Sequence, residues 1–166
     1  MVVHKGTKFD SAVVPSELDL GYLGLFLGLR INELVAESLA SAGFGKVKQS
    51  HGYVVQHLIE QDRTITELAG RMEVTQQAAS KVVREMMELG ILEAVPAEDR
   101  RAKQIRLSSR GWQSVKLART ARRRIEARLR AKTGAAYAGA KATLLACLTE
   151  LGGLKRIESR RIREPR

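Results

Sequence analysis

Gln76, Gln77, Ser80, Lys81 and Arg84 recur at intervals that place them along one side of a helix, and every one carries hydrogen-bond donors. Paired glutamines suit the edge of adenine, serine can donate or accept, and Lys81 and Arg84 suit guanine or phosphate. Ala79, Val82, Val83, Met86 and Leu89 alternate with them at helical spacing, so the opposite side seeks a core. No acidic residue interrupts the polar side before Glu85. The plainer alternative for these residues is a solvated helix face. A second group, Asp99, Arg100, Arg101 and Lys103, lies further on. It could be an ordinary charged turn. Yet a carboxylate two residues before Arg101 can hold that guanidinium extended, as entry into a narrow minor groove requires.

Local signals say how these groups would be positioned. Thr64-Ile65-Thr66-Glu67 reads as a capping box, with Thr64 accepting the N3 amide and Glu67 reaching back to the Thr64 amide. Ile65, Leu68, Ala69 and Met72 then give a helix of about two turns its apolar face. Glu73-Val74-Thr75 is a tight turn, and Thr75 is a fitting N-cap for the helix that carries the glutamines. Gly90 stands where a helix needs a left-handed C′ residue. Residues 91–95 read as a strand ended by Pro96, and Lys103-Gln104-Ile105-Arg106-Leu107 alternates as the return strand. The expected fold is therefore mainly α with a small β-hairpin wing (α+β), a winged helix-turn-helix flanked by long helices.

Thr64-x-x-Glu67-Leu68-Ala69, Val74-Thr75-Gln76, Glu88-Leu89-Gly90-Ile91-Leu92, Asp99-x-Arg101 and Leu107-Ser108-x-x-Gly111 occur in this order. Together they resemble the multiple-antibiotic-resistance regulator (MarR) family of transcription factors. The resemblance is specific over residues 64–111 and rests elsewhere on length and helical pattern. Glu73 departs from it, since such turns often carry Gly. The resemblance implies a homodimer joined through the terminal helices, acting on a pseudo-palindromic site in double-stranded DNA, with repression the commoner outcome. It gives Arg101 the minor-groove role of the family's Asp-x-Arg. It also implies a cleft between the lobes for a small aromatic or anionic effector, which Phe26, Arg30, His57 and Trp112 are expected to face.

The whole chain has 166 residues, 44% of them hydrophobic, and a formal net charge of +11, which asks for a polyanionic partner. That charge is uneven. Residues 1–62 hold five Lys/Arg against seven Asp/Glu, whereas residues 100–132 hold thirteen against one. The expected division is a loose arm over 1–15, a helical dimerisation region over 16–46 and 109–166, and the DNA-binding unit over 47–108. Ser16 is the expected N-cap of a first helix running to about residue 42, in which Leu18, Tyr22, Leu25, Phe26 and Leu29 form an apolar surface wider than one lobe needs. A second helix ends near Glu60, with Tyr53, Val54, Leu58 and Ile59 as its apolar stripe. Ser108 or Ser109 should cap a long helix to about Lys132, packed through Trp112, Val115, Leu117, Ala118, Ile125 and Leu129. A last helix, residues 135–151, is small and apolar.

Other chemistries find little support. The single cysteine, Cys147, lies among leucines and reads as a packing residue; it leaves no intramolecular disulfide, in keeping with a reducing cytoplasm. The chain lacks the cysteine near the N-terminus through which some MarR-like proteins sense peroxides. His51 and His57 are six apart without a neighbouring Cys, a poor metal spacing. No nucleophile–base set or carboxylate pair suggests an enzyme, and no cofactor is implied. No secretory signal or membrane-spanning run is evident. The run Arg122-Arg123-Arg124 with Arg128 and Arg130 reads as a solvated face ahead of a second anion contact. Two rival functions stay open: an architectural, nucleoid-type DNA binder without effector, and a winged-helix protein-interaction module.

Overall fold

The computed structural model describes residues 14–96, 103–154 and 157. The helix-turn-helix is built from α3 (Ile65–Met72) and α4 (Gln76–Glu88), with α2 (His51–Leu58) packed behind. A sheet supports them, made of β1 (Arg63–Thr64), β2 (Leu92–Pro96) and β3 (Lys103–Leu107). Its order is β1-β3-β2, all antiparallel, with Arg63 opposite Ile105 and Leu92 opposite Leu107. The mainly helical winged fold expected from the sequence is thus observed. Its sheet has three strands, however. The added strand is the two residues leading into α3, too short to show an alternating pattern.

Phe44, Val54, Leu58, Leu68, Val83, Met86, Ile91, Leu92, Ile105, Leu107 and Val115 form one buried cluster, fed by the helices, the sheet and the start of α5 (Ser109–Thr133). Arg63 is buried at its edge, where its Nε donates to the His57 carbonyl at 2.7 Å. Charge is tolerable there because the guanidinium satisfies a backbone acceptor at the end of α2.

The flanking helices are α1 (Leu20–Leu39), α5 and α6 (Ala136–Glu150). α1 and α5 pack along each other, joined by Arg122 of α5 donating to the Asn32 side chain at 2.7 Å. α1 does not begin at Ser16: a single 3₁₀ turn, Pro15–Glu17, precedes an extended Leu18, and Asp19 accepts the Tyr22 amide as the true N-cap. The end of α1 widens into a π-helical stretch, Ala40–Phe44, which Gly43 leaves at φ 84°. Arg110 closes that break by donating to the Gly43 carbonyl at 2.8 Å and lying 4.4 Å over the Phe44 ring.

Two aromatic residues expected to pack do not. Tyr53 and Trp112 are exposed, because the buried side of α2 is set by His51, Val54, His57 and Leu58, and that of α5 by Gly111, Ser114, Val115 and Ala121. Among the described residues no helix is long and apolar enough to cross a membrane. The expected N-terminal arm, apart from Val14 and Pro15, lies outside the described residues, as do residues 158–166.

Candidate nucleic-acid interface

The geometry begins at Thr64. Its backbone amide donates to a Glu67 carboxylate oxygen at 2.7 Å, its hydroxyl donates to the same oxygen at 2.9 Å, and the Glu67 amide donates to the hydroxyl at 3.2 Å. These bonds hold the Glu67 carboxyl below the ordinary carboxylate pKa and fix where α3 starts. α3 ends with Glu73 in the left-handed region, φ 56° and ψ 42°, where a side chain costs more than Gly would. The Val74 amide meanwhile returns to the Ala69 carbonyl at 3.1 Å. Thr75 then turns extended and accepts the Ala78 amide at 3.2 Å, so α4 starts one residue later at Gln76.

α4 buries Ala79, Val83 and Met86 against the core and turns Gln76, Gln77, Ser80, Lys81 and Arg84 to one shallow concave surface. Four of these five are exposed, and Ser80 is half-buried. Gln76 also donates to the Thr66 hydroxyl at 3.3 Å, which ties the start of α4 to α3. Its amide oxygen remains an acceptor toward solvent or a ligand. Gly90, at φ 68°, ends the helix and lets the chain turn into β2.

In the wing, Lys103 is exposed and lies directly opposite Pro96. Arg106 is paired with Glu93 across the strands at 2.7 Å. Asp99, Arg100 and Arg101 fall outside the described residues. Of the basic run on α5, Arg122 holds α1 through Asn32, Arg123 donates to Thr120, and Arg130 lies near Glu126 and 5.0 Å over Tyr137.

A cavity of about 220 Å³ opens where α1, the loop before α2, and α5 meet. Val35, Leu39, Val47, Val55, Ile59 and Val115 line it with apolar surface, and Asn32, Lys48, Gln56, Arg119 and Arg122 add polar groups. None of the four residues expected to face an inter-lobe cleft lines this cavity. Phe26 and Trp112 are exposed, Arg30 is paired with Glu33 and Glu37 along its own helix, and His57 is buried in the lobe. Periodicity alone does not say which side of α1 or α5 looks at α2.

A cluster at the last turn of α4 had no sequence signal, Lys48 and Glu85 being 37 residues apart. The Lys48 ammonium pairs with the Glu85 carboxylate, and His51 lies beside them with 1% exposure. His51 Nδ1 accepts the Lys48 amide at 3.2 Å, which leaves the proton on Nε2, 3.7 Å from the other Glu85 oxygen and without a hydrogen-bond partner. Burial pushes the imidazole pKa down, against the pull of Glu85, while Lys48 holds the Glu85 carboxyl below its ordinary range. Among the described residues no group of three or more His, Cys, Asp or Glu is placed to hold a metal ion.

Comparison with known proteins agrees with this geometry. Residues 47–102 match the model of the MarR family. No curated protein sequence matches the chain. Among solved structures, MepR of Staphylococcus aureus, described as a transcription regulator of the multidrug efflux pump MepA, superposes with a TM-score of 0.66 at 17% identity, covering 81% of this chain and 99% of that one. A MepR mutant bound to an oligodeoxyribonucleotide gives 0.61 at 18%, with the same coverage of both chains. MarR of Escherichia coli in its apo form gives 0.57 at 17%, covering 79% and 97%. These structural likenesses establish the fold, and the family match bears out, over the winged segment, the MarR resemblance read from the sequence.

Proposed function

We propose that this MarR-type winged-helix chain is a sequence-specific DNA-binding transcriptional regulator that acts by binding rather than catalysis. One observation carries the reading: Gln76, Gln77, Ser80, Lys81 and Arg84 converge on a single face of a helix whose start is capped and tied to α3. A rigid, donor-rich helix face of that width fits the major groove. Thr75 sits at the phosphate end, while Lys103 and the neighbouring Asp99, Arg100 and Arg101 would meet the adjacent minor groove.

In this reading residues 47–108 contact DNA, and residues 16–46 and 109–166 join two copies into a homodimer. The exposed apolar surface of α1 and α6 supports that pairing. The protein works in the cytoplasm as a repressor on a pseudo-palindromic operator. A small effector with an apolar body and a negative charge releases it, taken up in the cavity between α1, α2 and α5 and not at the positions expected from sequence. The likeness to a DNA-bound MepR mutant supports the partner.

Selection of bound DNA from a random pool tests the reading directly. The expected outcome is two related half-sites whose centres lie about one helical turn, roughly 34–36 Å, apart. Recovery without sequence preference, and with a steep salt dependence, would identify an architectural binder instead.

A further inference from the structure

Lys48 belongs to two places at once. It lines the cavity, and its ammonium pairs with Glu85 on α4, the helix that carries the candidate base-reading side chains. Glu85 in turn has a second donor within reach, the buried and unpartnered His51 Nε2–H at 3.7 Å. Lysine is a point charge on a flexible four-carbon stem, so its head can change partners while its backbone amide stays on His51.

We propose that Lys48 is the switch between the cavity and the recognition helix: an anionic ligand in the cavity takes the Lys48 ammonium from Glu85, and the released carboxylate closes onto His51. The proposal rests on the effector reading above and adds its mechanism. Two carboxylates, one on the ligand and one on α4, compete for a single ammonium. The state with ligand therefore differs from the state without it at α4 itself, the differential contact that coupling requires. The apolar walls and the size of the cavity favour a single-ring carboxylate, since a cavity near 150 Å³ already holds benzene.

The test uses the full chain, benzoate as probe, and neutral benzamide as its uncharged counterpart. Calorimetry measures the binding of each to wild type, Glu85→Gln and Lys48→Met, and DNA affinity is measured with and without benzoate. Removing the competing carboxylate in Glu85→Gln should tighten benzoate about two- to fivefold, the range of a partly exposed ion pair. It should leave benzamide binding unchanged and abolish the effect of benzoate on DNA affinity. Lys48→Met should weaken benzoate by roughly fivefold, toward the benzamide value. Should Lys48→Met fail to fold, the Glu85→Gln result decides alone, since that side chain is partly exposed. Equal benzoate affinity in wild type and Glu85→Gln, or weaker binding in the variant, overturns the switch and leaves the effector reading standing. Absence of benzoate binding in every protein at millimolar concentration removes both.

Discussion

In α3 and α4, Leu68, Ala79, Val83 and Met86 are at most 2% exposed, whereas Leu25 and Phe26 of α1 and Leu145 of α6 are 54%, 55% and 46% exposed. The two regions differ in where their apolar residues find neighbours. The winged lobe gathers them under its helices and leaves donors and cations outside. α6 has no buried residue at all, and α1 has only Val35. A helix that is apolar on most sides is stable when those sides are covered. One region completes its core within a single chain; the other presents an unfinished one, in keeping with the proposed pairing of two copies.

The largest effects should separate those two kinds of burial. Leu68→Ala should cost on the order of 2–5 kcal/mol of unfolding free energy, a loss seen in denaturant titration. Leu145→Asp should act first on association: light scattering should return one chain where the wild type returns two. A wild type that scatters as a single chain at micromolar concentration would end the comparison, because the exposed leucines would then have no partner to explain them.

Next in size come the polar residues on the outer face of the winged lobe. Gln77→Ala or Lys81→Ala should weaken binding to the selected DNA by about 1–3 kcal/mol while changing binding to random DNA less. Equal losses on both would reduce these residues to phosphate contacts. Acidification should then distinguish the regions by stability. The His51 pKa is lowered by burial, so as pH falls the unfolded chain takes up this proton before the folded one does. Stability contributed by the neutral imidazole is present above the usual value near 6.5 and declines below it. Unfolding midpoints of wild type and His51→Gln, compared across that range, should diverge in slope. Parallel slopes would mean that the lobe does not feel this proton.

The smallest effect belongs to the wing. Arg101→Ala should lower the salt slope of binding by roughly one unit, most visibly on sites with A·T-rich flanks. Asp99→Ala should give a milder form of the same defect. Tighter DNA binding by Asp99→Ala would reject the brace, since removing a negative charge near a polyanion helps only where that charge does no positioning.

What the sequence made legible follows from how far each interaction reaches along the chain. Thr64 with Glu67, Thr75 with Ala78, and Ser108 with Gly111 are each three residues apart; the first two caps were expected from residue types alone, and the third was one of two adjacent serines expected there. The faces of α3 and α4 were legible for the same reason, their periodicity being local. At the start of α1 the expected cap, Ser16, gave way to Asp19, because the 3₁₀ turn and the extended Leu18 delay the helix. β1 was not legible, because its pairing partners lie some forty residues on in β3. Lys48 with Glu85 depends on how the loop before α2 meets α4, and the walls of the cavity on how α1, α2 and α5 meet, neither of which a local pattern encodes. Of the candidate site, the five residues of α4 were found together. The four assigned to a ligand were not.

The joint between α4 and α5 has a mechanical consequence. The Ser108 hydroxyl donates to the Gly90 carbonyl at 2.5 Å, its amide donates to the Ile91 carbonyl at 3.0 Å, and a side chain on Gly111 would sit 2.2 Å from that same oxygen. The first turn of α5 is thereby clamped to the residues that follow α4. From that clamp α5 runs as a rod of 25 residues, about 37 Å long at 1.5 Å per residue. A rod held at one end converts angle into distance: a tilt of one-tenth of a radian displaces its far end by roughly 4 Å. In the proposed homodimer, were the copies joined at their far ends, the same leverage would run backward, and a small adjustment at the joint between copies would reset the stride between the two α4 helices. DNA offers successive grooves at a fixed pitch, so such a device would work as a gauge, admitting the duplex at one setting and refusing it at another.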